Sequence, residues 1–164
     1  YSPDNMRIQG SSDVAPIECV HPRKNRWRIR WDVREEENGS TTYEEAEFDH
    51  RPSDDEIRST IIASYNRQVD EAILSGFQWE GAQVWLTSEN QFNYKAAFDL
   101  AVQTNGANLP VVFKFGTDEK PEYREFSTVE DLKAFYTAAL SHVQHELAKG
   151  WDAKDAIDIA RYHI

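Results

Sequence analysis

Trp27, Ile29, Trp31 and Val33 alternate with Arg26, Arg28, Arg30 and Asp32. A period of two puts large apolar side chains on one face only in an extended strand, so this segment reads as a half-buried β-strand. Glu35 to Ser40 is a polar loop with an Asn38-Gly39 turn signal. Tyr43 to Asp49 resumes the extended pattern, with Ala46 and Phe48 on one face and Glu45, Glu47 and Asp49 on the other. The two runs make a hairpin. Its apolar face has to be covered by something else in the chain, which constrains all that follows.

Helical stripes suited to that task come next. Ser53 and Glu56 form a capping box, after which Ile57, Ile61, Ile62, Tyr65, Val69, Ala72 and Ile73 share a face up to Gly76. Phe77 to Leu86 reads as a tight second hairpin turning near Glu80-Gly81, and Thr87 or Ser88 caps the next helix. In that helix Phe92, Ala96 and Leu100 make one stripe, and Tyr94, Ala97, Phe98 and Ala101 widen it. A third pair of strands is expected over Val111–Phe115 and Glu122–Phe126. Ser127 or Thr128 caps a third helix with Val129, Leu132, Phe135, Tyr136, Ala139, Val143 and Leu147 inward, ending at Gly150. Asp152 is expected to cap a short final helix. The order ββ-α-ββ-α-ββ-α-α implies an α+β fold of antiparallel hairpins packed against three main helices. Residues 1–22, polar and holding Pro3, Pro16 and Pro22, read as an N-terminal arm with a short strand near Pro16–Val20. Residues 23–164 read as a single α+β domain.

Composition narrows the function. At 40% hydrophobic residues over 164 positions the chain is long and apolar enough to build a core. Its apolar runs are too short to span a membrane, and no signal peptide is visible. Cys19 is the single cysteine, which rules out an intramolecular disulfide. The natural reading is a reducing compartment. The chain opens on Tyr1 rather than Met, which leaves room for an upstream segment. The net charge of −11 argues against polyphosphate partners. Charge is uneven: residues 1–34 hold seven Lys/Arg against four Asp/Glu, and residues 35–164 hold eleven against 25.

Four constellations invite a chemical reading. Arg26 to Trp31 mixes arginine with tryptophan as a nucleic-acid patch does, but strand geometry sends the two types to opposite faces, and Glu45, Glu47 and Asp49 are expected to pair with the arginines. His142, His145 and Glu146 share a helix face without making H-E-x-x-H, and are expected to be solvated and unliganded. Asp152, Asp155 and Asp158 read as solvated helix-start acids. Trp79, Trp85, Tyr94, Tyr123 and Trp151, with Phe77, form a candidate aromatic interaction surface: they could line a sugar-stacking face, and the preferred reading is core or a protein interface. No nucleophile elbow, P-loop or dinucleotide fingerprint is present, so no catalytic residue, metal site or cofactor is expected.

The stretch Gly76-Phe77-Gln78-Trp79-Glu80-Gly81, then Val84 to Gln91, Pro110-Val111-Val112-Phe113-Lys114, Ser127-Thr128-Val129-Glu130-Asp131-Leu132 and Trp151-Asp152-Ala153-Lys154 carry a resemblance in their order. They resemble a domain of unknown function found in small phage and prophage proteins, often encoded beside tail and tail-fibre genes. The resemblance covers about residues 70–160 on motif order. It implies a non-catalytic tail-associated part, located in the bacterial cytoplasm or the phage particle, with protein partners, phage tail components among them, and leaves homo-oligomers open. A carbohydrate-binding module using exposed tryptophans is the alternative expectation, and an enzyme of unrecognised type the third.

Overall fold

The computed structural model describes residues 7–163. Along them run β1 Ile8–Gly10, β2 Ile17–His21, β3 Arg26–Glu35, β4 Thr41–Phe48, α1 Asp54–Ser75, β5 Phe77–Trp79, β6 Ala82–Val84, α2 Ser88–Gln103, β7 Val111–Gly116, β8 Pro121–Phe126 and α3 Val129–Asp155. Short 3-10 turns lie at Pro22–Lys24 and Ile159–Tyr162. Every strand pairing is antiparallel. The fold is therefore α+β, with hairpin sheets, three main helices and an N-terminal strand region. Two compact units divide the chain: residues 1–65 with 153–164, and residues 66–152.

The first unit is built on a four-stranded sheet in the order β1-β4-β3-β2. Residues 1–22, read from sequence as an arm, supply its two edge strands; the first six of them lie outside the described residues. Edge strands this short carry little side-chain signal. β1 is exposed throughout, and Ile17 is the one buried residue of β2, so backbone pairing with β4 and β3 holds them. Ile29, Trp31 and Ala46 pack against Ile17, Ile57, Ile61 and Tyr162, with Trp27 and Phe48 partly buried beside them. The capping box forms as the sequence implies: Glu56 N–H donates to Ser53 Oγ at 3.2 Å, and Ser53 N–H donates to Glu56 Oε1 at 3.0 Å.

The alternation of β3 breaks after Trp31. Trp31 faces Glu44 and Arg34 faces Thr42, so three steps on β3 match two on β4. This is a β-bulge with one extra residue, and Asp32 sits in the left-handed region at φ 55°. Val33, expected inward, is exposed as a result. Glu44, one position ahead of the expected acidic face, is turned onto the apolar face and buried.

The second unit gathers β5-β6, α2, β7-β8 and most of α3 around one aromatic core. Glu80 at φ 47° and Gly81 at φ 82° make the two-residue turn between β5 and β6. Gly76 leaves α1 at φ 71°, and a Cβ there would stand 1.7 Å from the Val84 carbonyl oxygen, so no other residue fits. Thr87, rather than Ser88, caps α2: its Oγ1 accepts from Asn90 N–H at 3.0 Å. Thr128 caps α3 in the same way through Asp131 N–H at 3.1 Å.

Three sequence expectations fail along α2, α3 and the segment after α3. The face of α2 that is buried carries Tyr94 and Ala101, with Ala97 and Phe98 half-buried; Phe92 and Leu100 point outward. Both stripes of this helix are apolar, so periodicity alone could not choose between them. Gly150 does not end α3, which runs on to Asp155. It is buried where a Cβ would come within 2.4 Å of Val69 Cγ2, so its role is close packing rather than termination. The short helix expected after Asp152 is replaced by the last turns of α3 and a 3-10 turn that Asp158 caps through Ala160 N–H at 3.2 Å.

Candidate functional site

Within the first unit, the bulge opens onto a cleft of about 300 Å³. Trp31, Ile61, Tyr65 and Ile157 line its apolar part, and Asp32, Asp158 and Arg161 its polar part. Bulges are over-represented beside functional sites because the extra residue re-aims neighbouring side chains. Asp32 is held by charge on two sides: Arg7 donates from NH1 to Oδ2 at 2.7 Å, and Arg34 NH2 does so at 2.7 Å. Arg7 also donates to the Asp32 carbonyl and to Thr42 Oγ1, and its NH1 stands 3.5 Å from buried Glu44. These contacts compensate a backbone conformation that an aspartate would otherwise disfavour. Tyr162 is anchored alongside by donating its hydroxyl to the Arg30 carbonyl at 2.6 Å, and burial pushes that hydroxyl's pKa up to about 12. Burial also raises the Tyr65 hydroxyl, with the Asp32 charge adding to the effect.

One atom in this region is anomalous. Trp31 is only 5% exposed, and its Nε1 is buried with no hydrogen-bond partner. A buried, unmatched donor costs about 1–3 kcal/mol. Sequence reasoning placed Trp31 in the core correctly, but the orphaned N–H depends on what stands opposite it and has no sequence signal.

The arginine-rich strand resolves into ion pairs. Arg30, 7% exposed, donates from Nε to Glu45 Oε2 and from NH1 to Glu18 Oε2, both at 2.8 Å. Burial pulls the Arg30 pKa down, but these hydrogen bonds outweigh it and the net shift is upward. Arg28 Nε lies 3.5 Å from Glu47 and 3.8 Å from Glu45. Asp49 falls beyond the end of β4 and bonds His50 Nδ1 at 2.7 Å instead of pairing with an arginine. His50 bridges on to Glu56 at 2.8 Å.

The five aromatic residues singled out from sequence do not form one surface. Tyr94 is buried, 4.9 Å from Phe135 and 4.7 Å from Phe113 between ring centroids, and burial lifts its hydroxyl to about 12. It leaves the candidate surface because its neighbours on α2 face inward. Trp79 is half-buried, edge-on to Phe135 at 5.5 Å. Trp85, Tyr123 and Trp151 are exposed, and Trp85 donates its indole N–H to the Gly116 carbonyl at 2.9 Å. Among the described residues no ring contact joins any two of the five. What sequence reasoning missed is the outer face of α2. Phe92 is 71% exposed there, with Ala96 and Leu100 also exposed. Phe92 flanks an apolar groove of about 180 Å³ that Leu140 borders from α3.

The histidine pair separates. His145 is exposed, but His142, expected to be solvated, is half-buried. It stacks on Phe77 at 6.0 Å, and its Nε2 donates to the Ala72 carbonyl at 3.0 Å. Its ring therefore serves packing. Asp152 and Asp155 are exposed in α3, and Asp158 is spent as a cap. Among the described residues no group of three His, Cys, Asp or Glu stands close enough to hold a metal ion, and no helix is long and apolar enough to cross a membrane.

Comparison with curated proteins and with solved structures yields no match. A family model does match, over residues 56–163, which takes in most of α1 as well as the hairpin–helix order from Gly76 onward. The chain belongs to that family, described as a domain of unknown function, DUF4376.

Proposed function

We propose that the chain is a non-catalytic part of phage or prophage type, associated with tail or tail-fibre structure or assembly, and that it works by docking a protein partner. The observation that carries this reading is the outer face of α2. Phe92 at 71% exposure, Ala96 and Leu100 at 46% form a stripe at i, i+4 and i+8, in a chain whose residues are 29% charged. An exposed aromatic within an apolar stripe is the composition that marks the centre of protein interfaces. The order of motifs from Gly76 to Lys154 adds the tail-associated context through its resemblance to phage and prophage proteins.

The test is affinity capture from a lysate of host cells producing the phage, with Phe92→Glu as the comparison. Tail or tail-fibre proteins should be captured by the wild type and lost with the variant, whose thermal stability should be unchanged because Phe92 is exposed. A captured set without tail proteins, or one that Phe92→Glu leaves intact, would count against the reading.

A further inference from the structure

The outer face of α2 reads nearly the same in both directions from Ala96. Phe92 and Leu100 stand one turn to either side of it. Asn93 mirrors Asp99, and Glu89 mirrors Gln103. Steps of three, four and seven return to one face of a helix, and all of these residues are exposed, as Ala96 is. Outward from the centre, then, large apolar matches large apolar, and each acid is matched by an amide. Two copies related by a two-fold axis set one residue against another and the second against the first, so a face used in that way has to complement itself.

Resting on the docking role given to this face, we propose that what it docks first is a second copy of the chain, with the two α2 helices antiparallel across a two-fold axis at Ala96. Phe92 of each copy then packs on Leu100 of the other. Ala96 meets its own counterpart where the helices cross, and a side chain that stops at Cβ lets them approach to roughly 8 Å, the close end of helix packing. Charge sets the direction. In a parallel pair each position faces itself, which opposes Glu89 to Glu89 and Asp99 to Asp99. In the antiparallel pair Glu89 faces the Gln103 amide and Asp99 the Asn93 amide, and an amide NH2 donates to a carboxylate. Asp99 is also paired with Lys95 along its own helix, so the strip is close to neutral on a chain of net charge −11. Two such acidic chains can meet along a strip of that kind, whereas a basic partner finds little charge there to hold it. The strip is one side of a 16-residue helix, smaller than a standard interface, so the dimer is a weak one.

The experiment is sedimentation equilibrium of the full chain from about 5 to 300 µM, where a Kd of roughly 10–100 µM is expected. Ala96→Glu and Ala96→Lys each place a charge against its own copy at the axis and should weaken the dimer about tenfold or more. Both residues form helices well and the site is exposed, so the melting temperatures should be unchanged. An equal mixture of the two variants should dimerise again, since glutamate then faces lysine; only a position that meets itself gives this result. The proposal is overturned if the wild type stays monomeric up to about 300 µM or forms an open series of larger species. It is equally overturned if either variant dimerises like the wild type, or if mixing them restores nothing. Capture of tail proteins is a separate readout. A monomeric chain that captures them sinks the dimer and leaves the docking reading standing, and a dimer that captures none does the reverse.

Discussion

Truncating Phe135 to alanine removes the ring around which the second unit is packed. Phe135 is fully buried, and six other rings lie within 6.1 Å of its centroid: Tyr94, Phe126, Phe115, Trp79, Phe113 and Phe77. A buried Phe→Ala exchange costs about 3–5 kcal/mol, made up of lost transfer energy and the cavity left behind. Rigid rings on six sides collapse poorly into that cavity, and the edge-on contacts with Tyr94 and Trp79 are lost as well. The expected value is therefore at the upper end, about 4–5 kcal/mol, or a fall in melting temperature of roughly 10–15 °C at this chain length. Phe135→Leu keeps most of the volume and should cost about 1–2 kcal/mol. Phe92→Ala, the same exchange at an exposed position on α2, should stay within about 0.5 kcal/mol. Urea unfolding of the three variants measures all of this. If Phe92→Ala costs as much as Phe135→Ala, or Phe135→Ala costs less than about 1 kcal/mol, the assignment of inner and outer faces is wrong.

Arg30→Ala should destabilise by about 2–3 kcal/mol, because it removes a mostly buried guanidinium that binds Glu45 and Glu18, both at 2.8 Å, whereas Arg28→Ala on the solvated side should cost less than about 1 kcal/mol; urea midpoints compare them. His50 is protonated more readily in the folded chain, since Asp49 and Glu56 accept from its two ring nitrogens and raise its pKa above 6.5. Its contribution is complete below that value and fades as pH rises through the raised pKa, so the melting temperature of the wild type should fall relative to His50→Gln as the pH climbs above 6.5. Parallel profiles would refute this. The acids act on the opposite limb: Glu56, held below 4.5 first by the Ser53 backbone N–H and then by His50, loses its contribution as pH falls through its lowered pKa.

Local chemistry is legible in the amino-acid sequence by itself. The β3 alternation as far as Trp31, the Ser53–Glu56 box, the Glu80-Gly81 turn and the Thr128 cap each involve residues within a few positions of one another, and each forms in the folded chain. The pairing of Arg28 and Arg30 with Glu45 and Glu47 is legible for the same reason, since a hairpin makes distant residues local once its register is known. What sequence cannot decide is which of two acceptable faces is used. On α2 both stripes are apolar, and only the rings of β7 and α3 select Tyr94 over Phe92. At Gly150 the deciding atom is Val69 Cγ2, 81 positions away. The bulge at Asp32, the burial of Glu44 and the unmatched Trp31 N–H depend on Arg7 and on strands whose own sequences carry almost no pattern. Propensity, capping and turn geometry act over one or two turns of chain and are written in neighbouring residues. Clefts, orphaned donors and the choice of a buried face arise from contacts between segments far apart in sequence, and only the tertiary structure brings those together.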